Sequence, residues 1–152
     1  SRRVWVRHLP VGPEFTDTYE ERRRADSSKV GSVLPETAIL WAPDGSTALV
    51  LPMREQVPFL IDPATGDTLG VWETAVRKPH AVHPSRPILA TATPRGDGLV
   101  LVDWRTGARL AVLMEQCYPH ALAWSPDGTR LVASGPDGTA CVFGLDSIVK
   151  PT

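Results

Sequence analysis

Short apolar runs separated by turn residues organise most of this chain. ALVL (48–51), VPFLID (57–62) and TLGVW (68–72) are followed by ILATAT (88–93), GLVLVD (98–103) and RLAVLM (109–114), and then by RLVAS (130–134) and TACVFG (139–144). Runs this short, bounded by Gly, Pro, Asp and Thr, predict strands rather than helices. The order repeats. The prolines of WAPDG, HPSRP and WSPDG stand at 43, 84 and 126, and Ile61, Val102 and Phe143 are spaced by 41 in both intervals. Each turn is preceded by a further apolar stretch, TAILW (37–41), HAVHP (80–84) and HALAW (120–124). Four strands per unit are therefore expected, with the third unit one strand short.

The turns have a physical basis. Proline presets the first bend, Asp bonds its own following backbone and Gly accepts positive φ, so Pro-Asp-Gly at 43–45, 126–128 and 136–138 predicts reverse turns. Asp44, Gly45, Asp97, Asp127, Gly128 and Asp137 are read as structural turn residues. A period of about 41 with four short strands is the signature of β-propeller blades. The expected fold is all-β, with three four-stranded antiparallel sheets forming half of a six-bladed ring. Its divisions are an N-terminal strand within 1–11, a polar connector at 12–36 and blades at 37–76, 77–117 and 118–152. The connector carries a possible short helix over EERRRA.

The segment WSPDGTRLVASGPDGTACVFG (124–144) closely resembles the WD-repeat consensus, and VDWRTG (102–107) and IDPATG (61–66) resemble that family's Trp-Asp-x-x-Thr-Gly ending. The resemblance covers about residues 37 to 145. Val102 and Ile61 replace the Trp, and His80 and His120 lie closer to the following strand than the family's Gly-His histidine, while Asp97 and Asp137 match its turn Asp. The resemblance implies that the strand at 2–9 completes the last blade, within one chain or between chains. It also implies that partners meet the loops between blades and the middle hairpin loops. Arg54, Arg77, Lys78, Arg95 and Tyr118 are the contact residues expected there, since guanidinium and phenol groups combine contact area with directed hydrogen bonds.

Composition narrows the function. With 152 residues and 42% hydrophobic side chains the chain can bury a core, and 15 Pro with 12 Gly suit turns better than helices. Its 16 basic and 17 acidic residues nearly cancel, so neither nucleic acid nor a membrane surface is an expected partner. The run Arg22-Arg23-Arg24 is flanked by Glu20, Glu21 and Asp26. No apolar run approaches a membrane span, and Cys117 and Cys141 show neither disulfide-framework nor metal-ligand spacing. They are expected to be reduced, in a cytoplasm. No cofactor is expected. His80 and His83 should face opposite sides of a strand, which argues against a shared metal, and His80 or His120 should serve backbone groups instead. Ser125 sits inside a turn without a nucleophile-elbow motif, and Cys117 lacks a catalytic signature.

Three blades leave two apolar faces uncovered. A homodimer closing a six-bladed ring is the preferred solution, ahead of a fragment of a longer propeller and of blades supplied by another protein. The expected function is a non-catalytic scaffold for protein–protein interaction. The rival expectation is a propeller hydrolase or lactonase with a site at the ring axis.

Overall fold

The computed structural model describes residues 38–52 and 57–148, so the expected strand at 2–9 and connector at 12–36 lie outside the described residues. Strands β1 (Ala38–Trp41), β2 (Ala48–Leu51), β3 (Phe59–Ile61) and β4 (Thr68–Val71) pair antiparallel in chain order. A second sheet repeats this with β5 (Arg77–Val82), β6 (Ile88–Ala92), β7 (Gly98–Asp103) and β8 (Arg109–Glu115). The third holds β9 (Ala121–Trp124), β10 (Arg130–Ser134) and β11 (Ala140–Gly144), again in sequence. Each sheet is one propeller blade. After β11 the chain forms a one-turn helix, α1 (Leu145–Ile148), and among the described residues blade 3 has three strands rather than four. Leu145 explains this turn away from the sheet: it is buried in the core, and its N–H donates to the Thr129 carbonyl at 2.8 Å.

The repeat spacing has a register counterpart. Ile61 pairs with Ala48, Val102 with Leu89 and Phe143 with Leu131, so the landmark residues of the three units hold equivalent places in their sheets. Side chains alternate across each strand, and blade 2 uses both faces. Leu89, Val100 and Val102 pack with Leu49, Leu51, Leu60 and Trp72 of blade 1. Ile88, Ala90, Leu99 and Leu101 pack with Leu131 and Ala133 of blade 3. This is why β6 is buried along its whole length.

Each seam also has a polar fastening. Between blades 1 and 2, the buried Trp72 indole lies over Gly107, where an added Cβ would come within 2.9 Å of three ring atoms, and its Nε1–H donates to the Trp104 carbonyl at 3.1 Å. Between blades 2 and 3 the fastening is His83, only 2% exposed. Its Nδ1 accepts from the backbone N–H groups of Ser85 (3.1 Å) and Arg86 (2.9 Å), so the proton must sit on Nε2, which donates to the Gly128 carbonyl at 2.9 Å. Trp124 meets this ring edge-on with centroids 4.8 Å apart and sends its own Nε1–H to the Ala81 carbonyl at 3.0 Å. Burial holds the His83 pKa below the usual imidazole value, with the nearby Arg86 charge acting in the same direction and the Gly128 hydrogen bond opposing both. His83 of the HPSRP turn is thus the latch between two blades.

This seam can be weakened selectively. Gly45 and Gly128 both adopt φ +72°, but a Cβ on Gly45 would meet nothing within 4 Å, whereas one on Gly128 would fall 2.4 Å from the His83 ring. Gly45→Ala should cost about 1 kcal/mol for the left-handed backbone alone. Gly128→Ala should cost about 1–3 kcal/mol more, because His83 must give up buried hydrogen bonds. Urea denaturation of the two variants measures the difference.

Candidate functional site

Sequential antiparallel strands sort the loops to two ends of each blade. Turns after β1, β5, β9, β3 and β7 lie at one end and hold Asp44, Gly45, Asp127 and Gly128. The turns after β6 and β10, with the connectors 72–76 and 116–120, lie at the other and hold Asp97, Asp137, Arg95 and Tyr118, with Arg77 and Lys78 at the start of β5 beside them.

The turn aspartates accept hydrogen bonds within their own turns. Asp44 Oδ1 accepts from the Ser46 N–H at 2.9 Å, and Asp137 Oδ1 accepts from the Thr139 N–H and hydroxyl at 3.1 and 2.6 Å. Asp127 Oδ1 accepts from the Ser125 hydroxyl (2.6 Å), the Thr129 N–H (3.0 Å) and the Thr129 hydroxyl (2.8 Å). These donors favour the ionised form and hold Asp127 down at about 2, the Ser125 hydroxyl contributing most. Ser125 is thereby committed to the turn, since its oxygen also accepts from the Arg130 N–H at 3.0 Å.

At the other end, the turn between β6 and β7 organises the surface. Asp97 Oδ1 accepts from the Thr93 hydroxyl at 2.8 Å, and the Asp97 carbonyl accepts from the Cys117 N–H at 3.0 Å. The second bond ties the 116–120 connector to the turn. On its other side the Arg77 side chain lies across Gly96, with Cδ and one guanidinium nitrogen 3.7 Å from where a Cβ would stand. Arg77 and Lys78 were expected in a loop and instead open β5, where a register shift between Arg77 and His80 lets Arg77 pair with Ala92 of β6. Arg77, Lys78, Arg95 and Tyr118 are exposed, and the turn links Arg77, Arg95 and the Tyr118 connector. Arg54 lies outside the described residues.

The histidines divide differently from expectation. His80 Nδ1 stands 2.8 Å from the Thr91 hydroxyl, which itself donates to the Arg77 carbonyl at 3.0 Å. With the hydroxyl proton so used, His80 must donate from Nδ1. Its partner is a side chain, the backbone role falls to His83, and His120 is exposed. Burial, reinforced by the Lys78 charge, pushes the His80 pKa down to about 4. Among the described residues no group of three His, Cys, Asp or Glu side chains is placed to hold a metal ion.

One further feature had no sequence signal beyond a glycine inside a strand. A cleft of about 630 Å³ opens between blades 1 and 2, lined by Gly70, Val76, Val100 and Val102. Leu60, opposite Gly70, faces blade 2, and Gly70 adds no side chain to fill the space. Arg105 at its edge is held by Asp103 through bonds of 3.0 and 2.7 Å, which lowers the Asp103 pKa.

Two solved structures show the same fold. Kuenenia stuttgartiensis hydrazine synthase superposes with a TM-score of 0.57 at 22% identity, over 74% of this chain and 33% of the other. A chain of the mitotic checkpoint complex gives 0.56 at 20% identity, over 72% and 34%. The chain thus spans about a third of the length of each. No protein-family model matches it, and no curated relative does.

The His80 environment predicts acid sensitivity. Because its folded pKa lies near 4, below the unfolded value of 6.5, the stabilisation is complete above pH 6.5 and is lost as pH falls toward 4. The loss should approach roughly 3 kcal/mol. Urea midpoints measured from pH 7.5 to 4 on the wild type and on His80→Asn should converge as pH falls, the difference isolating His80 from the carboxylates.

Proposed function

We propose that this chain is a WD-repeat-like half-propeller that serves as a non-catalytic scaffold for protein–protein interaction, its ring completed by a second copy. The observation that carries the reading is the state of the two outer faces. On blade 1, Ile39, Trp41 and Val71, on the two edge strands, remain 57–60% exposed, while Ala48 and Val50 on β2 between them are buried. On blade 3, Ala123, Val132 and Val142 form one row across β9, β10 and β11, and Val142 is 62% exposed. Apolar sheet faces of this kind are what one blade offers its neighbour. A two-fold pairing that seats the blade 3 face of each copy on the blade 1 face of the other closes a ring of six without any open end.

The surface around Arg77, Lys78, Arg95 and Tyr118 is the partner contact in this reading. Support comes from the binding of the 93–97 turn to the 116–120 connector, which holds Arg95 and Tyr118 on a fixed base. The fold it shares with a chain of the mitotic checkpoint complex, a protein assembly, agrees with a scaffold role. A second reading has further blades of a longer chain covering the same outer faces. It is favoured by the third-length match to both solved structures.

Light scattering separates the two. A mass about twice 16.5 kDa is expected, falling to the single-chain value in Val142→Glu. A wild-type chain that is folded and monomeric overturns completion by a second copy. For the contact surface, the triple variant Arg77→Ala/Arg95→Ala/Tyr118→Ala should keep its melting temperature within about 2 °C, surface substitutions being nearly neutral. It should lose the proteins that the immobilised wild type retains from a lysate.

A further inference from the structure

Cys117 and Cys141, 24 residues apart in sequence, line the same small pocket at the seam of blades 2 and 3, together with Met114. Each element brings its residue there for its own reason. Met114 pairs with Leu99 on β7 and packs against the core shared with blade 3. Cys141 pairs with Ala133, whose side chain is buried in that same core, so the thiol shares the face turned toward blade 2. Cys117 is held over them by the bond from its N–H to the Asp97 carbonyl. Both cysteines are half-buried and free of disulfides.

We propose that Met114, Cys117 and Cys141 form a binding site for one soft monovalent metal ion of the Cu(I) class. Two thiols and one thioether make a sulfur-rich set that selects Cu(I), while hard cations require oxygen ligands. A structural zinc site takes four Cys or His ligands, and this pocket lines up two cysteines only. Binding replaces the two thiol protons, which leave to solvent, and affinity therefore rises with pH. No electron is transferred, and the ion enters and stays as Cu(I). Its place between the 116–120 connector and β11 would clamp the connector that carries Tyr118 to blade 3.

The test uses the full chain, reduced and kept without oxygen, titrated with the Cu(I)–acetonitrile complex against bathocuproine disulfonate. One equivalent should be withheld from the chelator, with near-ultraviolet thiolate-to-Cu(I) absorption. Cys117→Ser and Cys141→Ser should each lose more affinity than the roughly 10–100-fold that removal of an outer-shell partner costs. Met114→Leu, which conserves core volume, should weaken the site less. Bound Cu(I) should also protect both thiols of the wild type from iodoacetamide, a readout independent of whether the serine variants fold. Failure to withhold Cu(I), or affinity unchanged in Cys141→Ser, overturns the proposal. So does a metal-free product 2 Da lighter, which would make the pair a disulfide site.

Discussion

A β-sheet with apolar side chains on both faces must be covered twice, and blade 2 is where this chain meets that demand. Leu89, Val100 and Val102 are closed off by blade 1, and Ile88, Ala90, Leu99 and Leu101 by blade 3. At about 1.5–3 kcal/mol for each large apolar side chain buried, this double layer is the dominant favourable contribution. The same rule leaves a remainder at both ends. Blades 1 and 3 each have one face on blade 2, and on their far faces Ile39, Trp41 and Val142 stay exposed, although Ala48 and Val50, in the same row of blade 1 as Trp41 and Ile39, are buried.

Apolar burial is non-directional, so something else must fix how the blades align. The polar fastenings do this, and the two seams use different means. Trp72 over Gly107 joins a large ring to a bare backbone and adds one hydrogen bond to Trp104. At the second seam, where blade 3 brings smaller residues such as Ala133, His83 and Trp124 each reach across to the other blade's backbone. His83 does two tasks at once. Its Nδ1 accepts the N–H two residues ahead, as Asp44 and Asp127 do in their turns, while Nε2 remains to donate to Gly128. An aspartate could organise that turn but has no proton to send across the seam.

What was legible in sequence was whatever repeats locally. The runs at 48–51, 98–103 and 130–134 become β2, β7 and β10 with the expected bounds, because short apolar runs and the turn chemistry that bounds them act within a few residues. Contacts between units were not legible. HPSRP keeps the proline of its counterparts but lacks their Asp-Gly, and its logic depends on Gly128, 45 residues away. Cys117 and Cys141 carried no ligand spacing, since a seam between blades, not a motif, brings them to one pocket. Arg77 and Lys78 were placed in the loop between blades, yet β5 begins at Arg77, with a register shift before His80. The 93–97 turn and the 116–120 connector were legible as loops, but not the bond from Cys117 to Asp97 that joins them.

That bond fixes a surface that does not depend on how the outer faces of blades 1 and 3 are covered. The turn at 93–97 and the connector at 116–120 are assembled within blade 2 and the start of blade 3. Their geometry is therefore the same whether a second copy or further blades cover the outer faces. Closure by a second copy would place two such surfaces about a two-fold axis, so that a partner with paired motifs gains from effective concentration rather than from new contacts. Closure by a longer chain would leave one surface of this kind among unlike neighbours. The question of how the ring is completed is thus also the question of whether recognition here is bivalent.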